Sequence, residues 1–327
     1  MMVLRSFLHE NRSLGLLLLL SLLWGSSYLW INVLNQAFNP AMVMLIRVAM
    51  AGLVLLPLAR MRGIPLPRFG HRWGHILIVA ITADLIPLAL LVWSQQYVTS
   101  SVAAVLNATV PLFTLLIAAL IFRNEYISLP RLIGIVLAFA GVVLLSRISS
   151  EGPSALLNPG IIAMTLSSVF YGFGFVYARR YVRGEPFAIV SLQMIFSLAL
   201  VLPFAVLIGR VDTGMISPTV VLAILALGGL SGGVGYCAYY LSLDRLGPTM
   251  TSYATYLSPV VAIALGWAVL GERIAPVGFL GIAIIVSGVF TAAGGWTFLV
   301  QKVQKQLAPI EQPIFKPELL EDWSIVA

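Results

Sequence analysis

Two stretches of the chain, 100–145 and 248–290, are copies of one another, and this constrains the fold more than any other feature. Pro111 falls on Pro259, and Ser101 falls on Thr249, each ten residues before its proline. Leu112-Phe113-Thr114 falls on Val260-Val261-Ala262, Asn124-Glu125 on Gly271-Glu272, and Gly134 and Gly141 on Gly281 and Gly288. The earlier parts of the copies register as well. Pro40 and Pro57 are 17 residues apart, as are Pro186 and Pro203. The chain therefore divides into a first repeat (1–147), a joining loop (148–159), a second repeat (160–295) and a tail (296–327). Such self-similarity decides the architecture before any single element is read.

The solvent for these repeats is lipid. Of the residues, 60% are hydrophobic and 9% charged, with a mean hydropathy of +1.01, against about 25% charged residues in ordinary soluble domains. Apolar runs of ~20 residues, each enough to cross a ~30 Å hydrocarbon core as a helix, fall near 14–34, 41–59, 75–93, 101–122 and 132–146. In the second repeat they fall near 160–181, 187–208, 219–243, 249–270 and 276–294, with a short loop at 244–248. The expected fold is all-α and integral to the membrane, with ten spans. The first run resembles a signal peptide, but its counterpart at the start of the second repeat marks it as a span.

Charge sets the orientation. With the N-terminus in the cytoplasm, the cytoplasmic segments hold 15 Lys and Arg and the outer loops hold three, Arg147, Arg210 and Arg273. That asymmetry is the positive-inside pattern, and it expects both termini in the cytoplasm. Five spans per repeat is an odd number, so the second repeat must enter from the opposite face. Inverted repeats of this kind place a site near the midplane, between halves that rock against one another. The net charge of +7 reflects these loops and does not indicate a nucleic-acid partner. The lone Cys237 permits no internal disulfide.

These residues resemble the drug/metabolite transporter superfamily in its ten-helix EamA-type branch. Trp24-Gly25-Ser26-Ser27, followed by Pro40 and Arg47, looks like the opening of an EamA-type domain. Thr99-Ser100-Ser101-Val102-Ala103-Ala104, Pro111 and Asn124-Glu125 look like its fourth helix, and Pro248-Thr249, Pro259 and Leu270-Gly271-Glu272-Arg273 repeat it. The resemblance spans about 14–294. It implies two inverted five-helix units around a cavity, in the bacterial inner membrane, moving small metabolites such as amino acids, often outward. The second repeat departs from the opening pattern: Tyr171-Gly172-Phe173-Gly174 replaces Trp24-Gly25-Ser26-Ser27, and Gln193 replaces Arg47. The halves are therefore expected to line the cavity unequally.

Polar residues inside the spans are the candidate site, because an ionisable group there costs several kcal/mol unless it faces protein or water. Arg47 reads either as a clamp for a carboxylate, which guanidinium meets in a bidentate way, or as a structural lock onto backbone carbonyls or Asp84. Asp84 reads either as a functional carboxyl, which carries a proton across or captures a substrate ammonium, or as a neutral or Arg47-paired group that fixes helix packing. Pro111 and Pro259 each remove a backbone bond and free a carbonyl, which is tolerated only against protein or a cavity. Asn107 and Tyr256 lie on the stripes that contain these prolines. Tyr236 and Tyr240, one turn apart beside Gly229, Gly232 and Gly233, join Trp24, Tyr28 and Tyr171 as an aromatic pocket able to hold a ring or an ammonium group. Their other reading is plain packing. Trp93 and Tyr97 read as an interfacial belt, and Glu125 and Glu272 as interfacial anchors or gate pairs.

No catalytic constellation, cofactor motif or metal-ligand cluster appears in the sequence, and no phosphate-binding Gly-Lys loop. An integral-membrane enzyme or a non-transporting scaffold are the other classes considered. The expected partners are a small-molecule metabolite and the bilayer, with proton coupling, in a monomer or homodimer.

Overall fold

The computed structural model describes residues 2–123, 128–149, 158–273 and 276–292. The rest of the joining loop (150–157), Glu125 and the tail lie outside the described residues. Among the described residues the architecture is helical, with one isolated bridge between Phe38 and Val211. Seven segments are long and apolar enough to cross a membrane: Gly15–Leu34, Pro40–Met61, His71–Ser94, Ser100–Leu120, Pro159–Tyr181, Pro186–Ile208 and Pro218–Tyr239. Three shorter apolar helices, Leu129–Leu144, Leu257–Leu270 and Gly278–Gly288, complete the ten.

The helices begin where local chemistry starts them. The first two are α1 (Met2–Leu34) and α2 (Pro40–Met61). Asn39 caps α2 by accepting from the Met42 N–H, with Pro40 in the first turn. The same cap-then-proline pairing opens α8 (Pro159–Tyr181) through Asn158, α9 (Pro186–Ile208) through Glu185, and α10 (Pro218–Ile224) through Ser217. Proline fits there because the first-turn N–H groups have no helical acceptor.

The third span of each repeat is interrupted in the same way. In the first, α3 (His71–Ala80) passes through a π-helical turn, Ile81–Leu85, into α4 (Ile86–Ser94). In the second, α10 passes through a longer π-helical stretch, Leu225–Val234, into α11 (Gly235–Leu270). The fourth span is broken close to Pro111, which the sequence marks as a helix breaker. It consists of α5 (Ser100–Asn107) and α6 (Val110–Leu120), with Pro111 in the first turn of α6. At the break the Leu106 carbonyl accepts from the Thr109 hydroxyl at 2.6 Å and from the Ser168 hydroxyl at 3.2 Å.

The backbone is helical through 244–248, where the sequence suggested a loop, yet α11 cannot be one rod. Trp24 stacks on Tyr239 and lies against Gly235, while Ser21, three residues away, donates to the Ala254 carbonyl at 3.3 Å. Along a straight helix, Gly235 and Ala254 would stand about 28 Å apart. Gly25 then meets Ser258 and Val261. Residues 254–261 thus run parallel to α1, whereas 231–238 run against it, since Ser231 bonds the Leu23 carbonyl and Ala238 clusters with Leu20. The chain reverses between Tyr239 and Ala254, and α11 supplies two spans.

The repeats are related by matched contacts. Gly25 packs on Ser258 and Val261, and its counterpart Gly172 packs on Phe113 and Thr114. Ser21 donates to the Ala254 carbonyl, and its counterpart Ser168 donates to that of Leu106. The fifth helices, α7 (Leu129–Ser149) and α12 (Pro276–Ala292), pack closely. Gly141 lies on Gly281 and Ile285, and Gly288 lies on Gly134 and Ala138. Low numbers on one helix meet high numbers on the other, so these equivalent helices are antiparallel and the repeats are inverted. Bare backbone at each crossing permits the close approach by which membrane helices associate without a hydrophobic driving force.

Candidate functional site

Six spans, drawn from both repeats, bring polar side chains to one region inside the bundle. Tyr28 (α1) is buried and its hydroxyl is approached by the Asn107 amide at the end of α5. Arg47 (α2) lies near Tyr28, Asp84 and Tyr171. Asp84, on the π-helical turn of the third span, is 5% exposed and accepts a hydrogen bond of 2.6 Å from the Ser197 hydroxyl on α9. Tyr171 (α8) lies near both Tyr28 and Asp84. Asp84, Tyr171 and Ser197 sit close to the middle of their spans.

Local backbone irregularity puts several of these groups in place. A π turn inserts a residue and turns the following face of the helix, and such turns recur at functional positions. Here it carries Asp84. Three residues after Asp84, Pro87 removes a helical donor, and the Pro87 carbonyl is itself held by the Ser167 hydroxyl at 2.7 Å. Asn107 stands at the break in the fourth span, where Pro111 offers no N–H to the Asn107 carbonyl. The Asn107 Oδ1 atom is buried without a hydrogen-bond partner among the described residues. Gln193, which takes the place of Arg47 in the second repeat, is buried one helical turn from Ser197 on α9.

Of the residues singled out from the sequence, Tyr28, Arg47, Asp84, Asn107 and Tyr171 come together. Trp24 lies one turn from Tyr28 and stacks on Tyr239, with ring centroids 5.4 Å apart. Tyr236 is placed elsewhere, with Cys237 against the Ala51, Leu55 and Phe187 cluster between α2 and α9. Pro259 is buried in α11 beside Ser258, whose hydroxyl bonds Ala254. The side chains of Tyr240 and Tyr256 lie outside the described residues. Trp93 and Tyr97 form a partly exposed ring pair at 4.7 Å at the end of the third span. Ser197 and Tyr239 were not singled out from the sequence. A hydroxyl on a membrane helix is too common to signal, and only the register of the eighth span distinguishes Tyr239 from Tyr240.

Chemically, the group offers a fixed cation, two phenolic hydroxyls, an amide acceptor and a carboxyl within one buried region. Such a group can meet a small polar molecule with hydrogen-bond donors and acceptors and with charge of either sign. An inverted pair of five-helix units around such a midplane group defines a membrane transporter. The family model for the EamA-like transporter family matches residues 11–147 and again 158–294, and the chain belongs to that family, within the drug/metabolite transporter superfamily.

The inner membrane transporter YedA of Escherichia coli K12 is 29% identical over 304 residues, 91% of this chain and 95% of its own length. The protein PecM of Dickeya dadantii is 23% identical over 300 residues, covering 88% and 94%. The protein PagO of Salmonella typhimurium is 23% identical over 282 residues, covering 84% and 90%. A solved crystal structure shares the fold at a TM-score of 0.63 and 18% identity, over 90% of this chain and 99% of its own.

Proposed function

We propose that this transporter is a secondary exporter of a zwitterionic metabolite, an amino acid or related amphiphile, working by alternating access in the bacterial inner membrane with both termini in the cytoplasm. The observation that carries the reading is the convergence of Arg47, Asp84, Tyr28, Tyr171 and Asn107 from both repeats. Arg47 and the tyrosine hydroxyls take the carboxylate end of the substrate, since guanidinium meets carboxylate in a bidentate fork. The free Oδ1 of Asn107 and the Asp84 carboxyl take the ammonium end, and the aromatic faces of Tyr28, Tyr171 and Trp24 bound the apolar part. Asp84 carries the coupling proton, and substrate and proton compete for the same carboxyl. Rocking of one repeat against the other exposes the group to each face in turn.

The test compares metabolites inside cells and in the medium for the unmutated protein, Asp84→Asn, Arg47→Gln and empty vector, with insertion checked for each. The expected result is one class of zwitterion enriched outside only with the unmutated protein. Export undiminished in Asp84→Asn removes the coupling role. Enrichment inside rather than outside reverses the direction, and no shift in any metabolite despite normal insertion sinks the export reading.

A further inference from the structure

A cavity lies away from the central polar group, at the arginine-rich end of the bundle. It measures about 240 Å³ and sits where the loop between α2 and α3 meets the turn between α8 and α9. Arg68 and Arg72 line it from the first repeat and Arg183 from the second, with a single carboxylate, Glu185. One Glu185 oxygen is already committed to the Ala188 N–H at 2.6 Å, as the cap of α9. Ile76 and Ile189 contribute apolar surface beside the guanidinium groups. The loop is held in shape: the Trp73 indole donates to the Pro67 carbonyl at 3.0 Å, and its ring meets Phe196 of α9 edge to face.

The same loop shows what environment it occupies. Phe69 is 86% exposed and Leu66 is 42% exposed, and Met61 at the end of α2 is 84% exposed. Large apolar side chains displayed among Arg62, Arg68 and Arg72 suit the headgroup boundary of a bilayer, where the rings and alkyl groups enter lipid and the guanidinium groups meet phosphate. Three arginines facing one glutamate leave a net positive cavity, and guanidinium binds phosphate oxygens in a fork.

We propose that this cavity binds the phosphate of an anionic phospholipid headgroup, and that the bound lipid bridges the two repeats on their arginine-rich face. The occupant's shared chemistry is a phosphodiester or phosphate; the lipid is favoured over a soluble phosphate because apolar side chains surround the mouth. A headgroup held by Arg68, Arg72 and Arg183 at once fastens the α2–α3 loop to the α8–α9 turn, so it stabilises the arrangement of the repeats seen here.

Native mass spectrometry and thermal unfolding of the full chain in detergent test this, with phosphatidylglycerol, phosphatidylcholine and inorganic phosphate as probes. Phosphatidylglycerol is expected to be retained and to raise the melting temperature, while phosphatidylcholine is not. Each arginine removed should weaken retention about fivefold, and Arg68→Gln/Arg72→Gln/Arg183→Gln about a hundredfold. Arg210→Gln, on the opposite face, serves as the control and should change nothing. Protection by inorganic phosphate equal to that by the lipid overturns the lipid source and leaves a soluble phosphate ligand. Equal retention by the triple variant and the unmutated protein overturns the site. Should the triple variant not fold, Glu185→Gln decides: it removes the one opposing charge and must strengthen retention, and unchanged or weaker retention overturns the proposal.

Discussion

Asp84 is a carboxyl at the centre of a bundle, and its hydrogen bond comes from Ser197 of the other repeat rather than from the residue that the charge pattern suggested. Arg47 lies near it, as it does near Tyr28 and Tyr171. Ser197→Ala deletes the bond, and leaving a buried polar group unpaired costs about 1–3 kcal/mol. The expected outcome is a lower melting temperature in detergent, with Ser197→Thr closer to the unmutated protein. An unchanged melting temperature in Ser197→Ala would show that the bond contributes nothing. The central residues were legible in the sequence to the extent that they were costly. Arg47, Asp84 and Asn107 stand out in apolar runs because lipid penalises them. The tyrosine register was not legible. The π-helical stretch Leu225–Val234 adds residues ahead of α11 and turns its face, so Tyr239, not Tyr236, stacks on Trp24. Spacing counted at an ideal helical period cannot register such an insertion.

At the scale of elements, the start of α5 is capped by a residue from the other repeat. The Glu272 carboxylate accepts from the N–H and the hydroxyl of Ser100, at 2.8 and 2.7 Å, and from the N–H of Ser101 at 3.1 Å and its hydroxyl. A carboxylate at a helix N-terminus satisfies open N–H groups and matches the helix dipole. It also ties the end of the ninth span to the start of the fourth, beside a cleft of about 370 Å³ lined by Gln36, Gln96 and Thr99. Two features of the chain allow the reach. Gly271 adopts φ +66°, ending α11, and the Glu272 N–H returns to the Gly266 carbonyl at 3.0 Å. Glu272→Gln keeps the shape but loses the charge, and should cost about 1–2 kcal/mol. Glu272→Ala strips every bond and should cost more. Thermal unfolding of both variants checks the order, and a Glu272→Gln variant as stable as the unmutated protein would show that charge has no part in the cap. The sequence marked Glu272 as an anchor through its place in the repeat, and Pro111 as a breaker. It did not show the partner of the one or the position of the break produced by the other, because both depend on contacts between repeats.

The whole molecule was the most legible level, because an odd number of spans in a duplicated unit leaves only an inverted arrangement. The structure adds that the inversion is exact enough to pair contacts. Gly141 rests on Gly281 and Ile285 while Gly288 rests on Gly134 and Ala138, each glycine serving the other repeat's backbone. The polar interior breaks the same symmetry, with Gln193 in the place of Arg47 and no carboxylate among residues 219–243 of the third span of the second repeat. Packing positions are thus shared by the halves and charged positions are not. This is the pattern expected if the twofold relation builds the scaffold and the asymmetry serves the cargo. It has a direct consequence for stability. Gly141→Leu and Gly288→Leu each force a side chain onto backbone at equivalent places, and overpacking of this kind costs about 1–3 kcal/mol. The two variants should lose similar melting temperature in detergent. A large loss in one with none in the other would mean that the fifth helices are not twofold equivalents, and that the match between their glycines carries no shared role.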